Sequence, residues 1–197
     1  MGYDMRASWW DYSQIGCYFL TVCTFDRQHY FGDVVNSSMQ LSHVGVLADE
    51  AWYWIPLHQQ NVTLHAHIVM PDHVHMLFSL HAPGSYGSVG PRTCLGPTEP
   101  AGRESAGREI GSHHVGAKAC PWPLRAHNHR SIRYRNPGKH TVSSIVGGYK
   151  SIITTKARQQ GYDFRWQPSF YDRIVRSDDE FVNIVRYIQQ NPQRWKR

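Results

Sequence analysis

The chain of 197 residues has the length of one domain, and at 41% hydrophobic and 13% aromatic it can build a real core. Lys and Arg number 21 against 15 Asp and Glu, a formal +6 at pH 7 to which 13 histidines can add in mild acid, so a polyanionic partner is favoured. Four cysteines without CxxC spacing exclude a disulfide framework, and no run approaches the roughly 18 apolar residues of a membrane span, which predicts a soluble, cytoplasmic protein with no membrane partner.

Residues 1–15, with Trp9, Trp10 and Tyr12 among polar neighbours, read as an arm. Cys17–Phe25 is β-branched and aromatic and predicts a buried strand. After a loop around Phe31-Gly32-Asp33, Ser42 caps a helix to about Trp54. Val44, Leu47, Ala48, Ala51 and Trp52 recur on it at helical spacing, and Pro56 ends it. Val62–Met70 predicts a second strand. Pro71-Asp72 suits the centre of a tight turn, so the residues from His73 onward pair back antiparallel.

Residues 81–142 change character, with nine Gly, seven Pro, six His and nine Lys or Arg against three acidic residues. Such a composition cannot bury much of itself and predicts a long irregular insertion within the single domain, solvated or tracking a nucleic-acid backbone. Its His113, His114, His127 and His129 lack carboxylates or cysteines at ligand spacing, which argues against a second specific metal site. Ser143 or Ser144 opens a helix to about Gln160, with Ile145, Val146, Tyr149, Ile152 and Ile153 on one face. Phe164–Arg176 is extended. Ser177-Asp178-Asp179-Glu180 then caps a last helix from about Asp179 to Asn191, which Pro192 stops. The order strand, helix, strand, strand, helix, strand, helix predicts an α+β fold compatible with a ferredoxin-like antiparallel sheet covered by helices.

The residues able to do chemistry gather in two places. His73 and His75 sit two apart on a strand and so share a face, while Val74, Met76, Phe78 and Leu80 point into an apolar layer. Two imidazoles on one rigid strand are half of a divalent-metal site. His65-Ala66-His67 has the same spacing without the preceding turn and reads as structural or as a neighbour of the site. On the last helix Phe181, Ile184, Val185 and Ile188 form the apolar stripe, and Tyr187 and Asn191 fall one turn apart on its flank.

Four blocks of this sequence resemble the HUH single-strand DNA transposases, and most the REP-associated tyrosine transposase branch. They are Tyr18–Thr24, Val69–His75, Ser144–Ser151, and the C-terminal series Trp166-Gln167, Phe170–Asp172, Ile174–Arg176 and Val185–Pro192. Their occurrence in the family's order makes the resemblance specific where a lone HxH is weak. It implies that Tyr187 is the nucleophile and that His73, His75 and Asn191 hold Mg²⁺ or Mn²⁺. The implied substrate is single-stranded hairpin or palindromic DNA, cleaved through a 5′-phosphotyrosine bond with a free 3′-OH. A chromosomal palindrome and the ends of a mobile insertion sequence are both compatible substrates, as are monomer and homodimer, and the implied location is the nucleoid. Tyr149 and Tyr171 also lie in matching blocks, although Tyr149 sits on an apolar face and is more simply core. Arg173 departs from the pattern, standing where related sequences tend to carry a histidine.

Lys150, Lys156, Arg158, Arg186, Arg194, Lys196 and Arg197, interleaved with Tyr149, Trp166 and Trp195, suit either a single-strand DNA surface or solvated helix faces. Gln167 and Asp172 suit DNA contacts or turn positions equally. Two rival functions remain open at this point. One is a structured single-strand DNA-binding protein that does not cleave, and the other a phosphoesterase that uses activated water and dispenses with Tyr187.

Overall fold

The strand predicted near the N-terminus becomes β1 (Gly16–Cys23), an inner strand of a four-stranded sheet. It pairs antiparallel with β5 (His73–Leu80) on one side and β6 (Tyr171–Val175) on the other. β4 (Val62–Met70) pairs antiparallel outside β5, so the order is β4-β5-β1-β6. With helices after the first and third of these strands, this is the predicted α+β antiparallel architecture. A computed structural model describes residues 14–82, 138 and 140–195. The N-terminal arm up to residue 13, most of the insertion, Cys94, Cys120, Lys196 and Arg197 lie outside the described residues.

All eight residues of β5 are buried, because the strand is covered on both faces. Val74, Met76, Phe78 and Leu80 join Tyr18, Leu20 and Val22 under α1 (His43–His58) and α2 (Val142–Gln159). A fully buried side chain of this kind contributes on the order of 2 kcal/mol. The opposite face is a smaller cluster in which Cys17, Leu77 and Val175 meet Ile184 and Ile188 of α3 (Asp178–Gln189). Cys17 and Cys23 are buried. Among the described residues no helix is long and apolar enough to cross a membrane.

Several element boundaries differ from the sequence reading. α1 runs through Pro56 to His58. Pro56 forfeits its own N–H bond within the helix, and beside it His58 Nδ1 meets the Trp54 carbonyl oxygen at 3.0 Å. The cap of α2 is Thr141, two or three residues before Ser143 or Ser144, the serines expected to cap it. Its hydroxyl accepts from the Ser144 N–H at 3.1 Å while the Ser144 hydroxyl accepts from the Thr141 N–H at 2.9 Å. The stretch read as a loop around Gly32 is a hairpin of β2 (Gly32–Val35) and β3 (Ser38–Leu41). Asn36 and Ser37 turn it with φ of 51° and 60°. Gly32 is required there, since at φ 126° a Cβ would lie 2.0 Å from the Gln40 carbonyl oxygen.

Lys150 has an internal task. Its ammonium donates to the carbonyls of Gln167 at 2.7 Å and Ser169 at 3.0 Å and lies 5.7 Å from the Trp166 ring centroid. Burial pulls its pKa down to about 8, which leaves it charged at neutral pH. Lys150→Met is therefore expected to lower stability by about 1–3 kcal/mol, because two carbonyls lose their donor. A denaturant midpoint unchanged from wild type would count against this role.

Candidate active site

The turn that opens β5 sets the site. Met70 pairs with His73 across Pro71-Asp72, so His73 begins the strand and His75 follows on the same face, with Leu77 and Ser79 beyond. The two imidazoles converge, with Nε2 of His73 3.1 Å from Nε2 of His75. Both rings are only slightly exposed, at 8% and 4%.

Each ring is held from behind by its other nitrogen. His73 Nδ1 lies 2.6 Å from Oδ1 of Asp72, and Arg27 donates from Nη1 to the other Asp72 oxygen at 3.3 Å. Burial alone would raise the Asp72 pKa, but the hydrogen bond and charge of His73 and the Arg27 guanidinium bring it below the ordinary carboxylate value. A carboxylate only accepts, so Nδ1 of His73 is the donor to Asp72 and its Nε2 is the nitrogen turned toward His75. His75 Nδ1 lies 2.9 Å from the Thr21 hydroxyl, its cross-strand partner. Burial, then the neighbouring His73, push the His75 pKa down to about 3, so this ring is neutral across the physiological range.

Such a pair is satisfied by one ring donating to the other or by a cation accepted by both. Two nitrogens about 2.1 Å from an octahedral cation and at right angles stand about 3 Å apart, close to the spacing seen. Among the described residues no group of three His, Cys, Asp or Glu converges on one point.

Tyr187 is brought to the pair. Its hydroxyl is 3.4 Å from His75 Nε2, its ring is edge-on to Phe19 at 6.1 Å, and it is 39% exposed. Asn191 is buried at the head of a separate short helix, α4 (Asn191–Arg194), which packs against α3, β3 and β4. The expected single helix carrying both residues is thus two: α3 ends at Gln189, and Pro192 falls in the first turn of α4, where its missing N–H costs nothing. The last described residue, Trp195, lies 5.9 Å from the His73 ring.

The other candidates disperse. Arg186 and Arg194 are exposed on α3 and α4, the elements that carry the site. Lys156 and Arg158 belong to α2 on the opposite face, with the Lys156 ammonium 3.7 Å from the Trp54 ring centroid. Tyr149 is core, donating to the Ala48 carbonyl at 2.7 Å. Tyr171 is exposed on the edge strand β6, and Arg173 pairs with Glu180 of α3 at 2.5 Å. His65 and His67 do not converge. A register shift between Leu64 and Ala66 turns His65 toward Ser79 and Phe181, and His67 toward Asp49 and Trp52 of α1. Sequence reasoning missed Thr21 and Arg27, whose places depend on strand register and a 3₁₀ turn. It quoted Asp72 only as a turn residue, although its adjacency to His73 was a usable signal.

No family model matches the chain. An uncharacterized protein of Haemophilus influenzae is 26% identical over 196 residues, spanning 98% of this chain and 89% of the relative. Among solved structures, the REP-associated tyrosine transposase bound to a REP hairpin aligns with a TM-score of 0.51 at 16% identity, over 94% of this chain and 71% of that one. At that identity the likeness is one of fold.

Proposed function

We propose that this protein is a metal-dependent tyrosine endonuclease and strand transferase that acts on single-stranded hairpin or palindromic DNA. What supports the reading most is one juxtaposition, an exposed tyrosine hydroxyl 3.4 Å from one of two converging, back-anchored imidazoles. The fold shared with a tyrosine transposase bound to a REP hairpin supports the substrate class. His73 and His75, with Asn191 as oxygen ligand, would hold Mg²⁺ or Mn²⁺. When bound there, the cation supplies a positive charge for a non-bridging phosphate oxygen and for the departing 3′ oxygen.

The chain's own groups do the rest. The Tyr187 hydroxyl gives up its proton to solvent as its oxygen bonds to phosphorus, the P–O3′ bond breaks, and the electron pair leaves on the 3′ oxygen, which takes up a proton from solvent as the 3′-OH. His75 at a pKa of about 3 is a poor acceptor for the proton of a phenol, whose ordinary value is about 10, so its part is to bind and orient rather than to act as base. Arg186 and Arg194 would meet the DNA backbone. The phosphotyrosine bond conserves the energy of the phosphodiester for attack by another 3′-OH.

The test is a denaturing gel of the protein with labelled hairpin DNA from its own gene's neighbourhood, with Mn²⁺ or Mg²⁺. A covalent protein-DNA band that chelator removes is the expected result. Tight, salt-sensitive binding without an adduct across the neighbouring palindromes would show a non-cleaving DNA-binding protein instead. Imidazole ligation favours Mn²⁺, so adduct yield is expected to rise when it replaces Mg²⁺, and no gain would count against a two-imidazole ligand set.

A further inference from the structure

We propose that Trp195, with His29 beside it and Arg27 held at the histidine turn, forms a subsite for the unpaired nucleotide immediately 5′ of the cleaved phosphate. This rests on the tyrosine nuclease reading and states which side of the cut the protein holds. Ring contacts run in order through the site: Tyr187 to His75 at 5.2 Å, His75 to His73 at 4.5 Å, His73 to Trp195 at 5.9 Å and Trp195 to His29 at 5.8 Å. Tyr187 and Trp195 flank the histidine pair. Displacement at phosphorus is roughly in line, so the 3′ oxygen leaves on the side away from the attacking phenol. The sugar that carries it lies toward His73, and its base meets the indole.

The surroundings suit such a guest. The Arg27 side chain is 54% exposed while anchored to Asp72 at 3.3 Å, which puts a fixed cation beside His73 for a backbone phosphate. Asp26 and Arg27 hold φ of 53° and 55°, and the Thr24 N–H donates to the Asp72 carbonyl at 2.9 Å. The loop presenting Arg27 and His29 is thereby pinned to the histidine turn. An aromatic face accepts any base and a guanidinium accepts its phosphate, a combination that recognises unpaired nucleotides.

The experiment uses the hairpin substrate with an abasic residue scanned along its single-stranded flank, after the cut has been mapped with wild type. Binding is read by titration in the Tyr187→Phe background, with and without Trp195→Ala. The abasic residue just 5′ of the cut is expected to weaken binding about tenfold with Trp195 present and to have no further effect with Trp195→Ala, while Trp195→Phe keeps most of the difference. A 5′ penalty that persists in Trp195→Ala overturns the subsite, as does a Trp195→Ala variant that binds normal DNA as well as or better than its parent. Should no adduct form with any DNA, the nuclease reading fails by itself. The same scan then still decides the stack, which is supported by one flank position whose penalty vanishes with the indole and overturned if no position behaves so.

Discussion

Tyr187→Phe is expected to bind the hairpin within about twofold of wild type and to form no covalent adduct. The substitution removes one oxygen. The ring keeps its edge contact with Phe19, and the lost polar contact to His75 was long at 3.4 Å, so the fold should change by less than about 0.5 kcal/mol. The chemistry loses its nucleophile, and cleavage should fall on the order of a thousandfold or more. The comparison is made on one gel, with the melting temperature of each variant as a control. Strand cleavage that survives with no adduct would assign the attack to water and make the protein a phosphoesterase.

His73→Ala is the second large effect. It removes one of the two facing nitrogens and leaves His75 anchored to Thr21, so a cation loses a ligand while the strand keeps its register. Asp72 loses its partner on Oδ1 but keeps Arg27 on Oδ2. The stability cost should stay near 1 kcal/mol. Mn²⁺ affinity should fall by more than the roughly 10–100-fold typical of losing an outer hydrogen-bonding partner, and adduct formation should fall with it. Calorimetric Mn²⁺ titration of wild type and variant reads this directly. Equal Mn²⁺ affinity in the two proteins would remove His73 from the ligand set.

Much of this arrangement was legible in the sequence because local rules wrote it. The alternation from His73 to Leu80 separates a chemical face from an apolar face, and Pro71-Asp72 fixes where that alternation begins, so the strand and its antiparallel partner followed directly. Ser42 and Ser177 cap their helices as expected. What escaped depends on distant pairing or on weak turn signals. Thr21 meets His75 only because β1 and β5 adopt a particular register, and no local pattern encodes that. The β2–β3 hairpin turns on Asn36-Ser37, a less telling pair than Asn-Gly, although Asn at the first position was a usable hint. The break at Gln190 escaped because Pro192 was read as a stop, whereas a proline tolerated in a first turn also permits a new helix to start.

The extra residue near His65 has a further consequence. On its outer side Val62, Thr63 and Leu64 oppose Leu80, Ser79 and Phe78, whereas inward the pairing from Ala66 to Met70 is offset by one. The two ends of β4 therefore keep separate counts against a common neighbour. A residue gained or lost in the connection from α1 can be absorbed at this joint without moving the Met70–His73 closure. The spacing of the imidazoles is thereby set by the Met70–His73 closure and not by the residue count in the outer half of the edge strand.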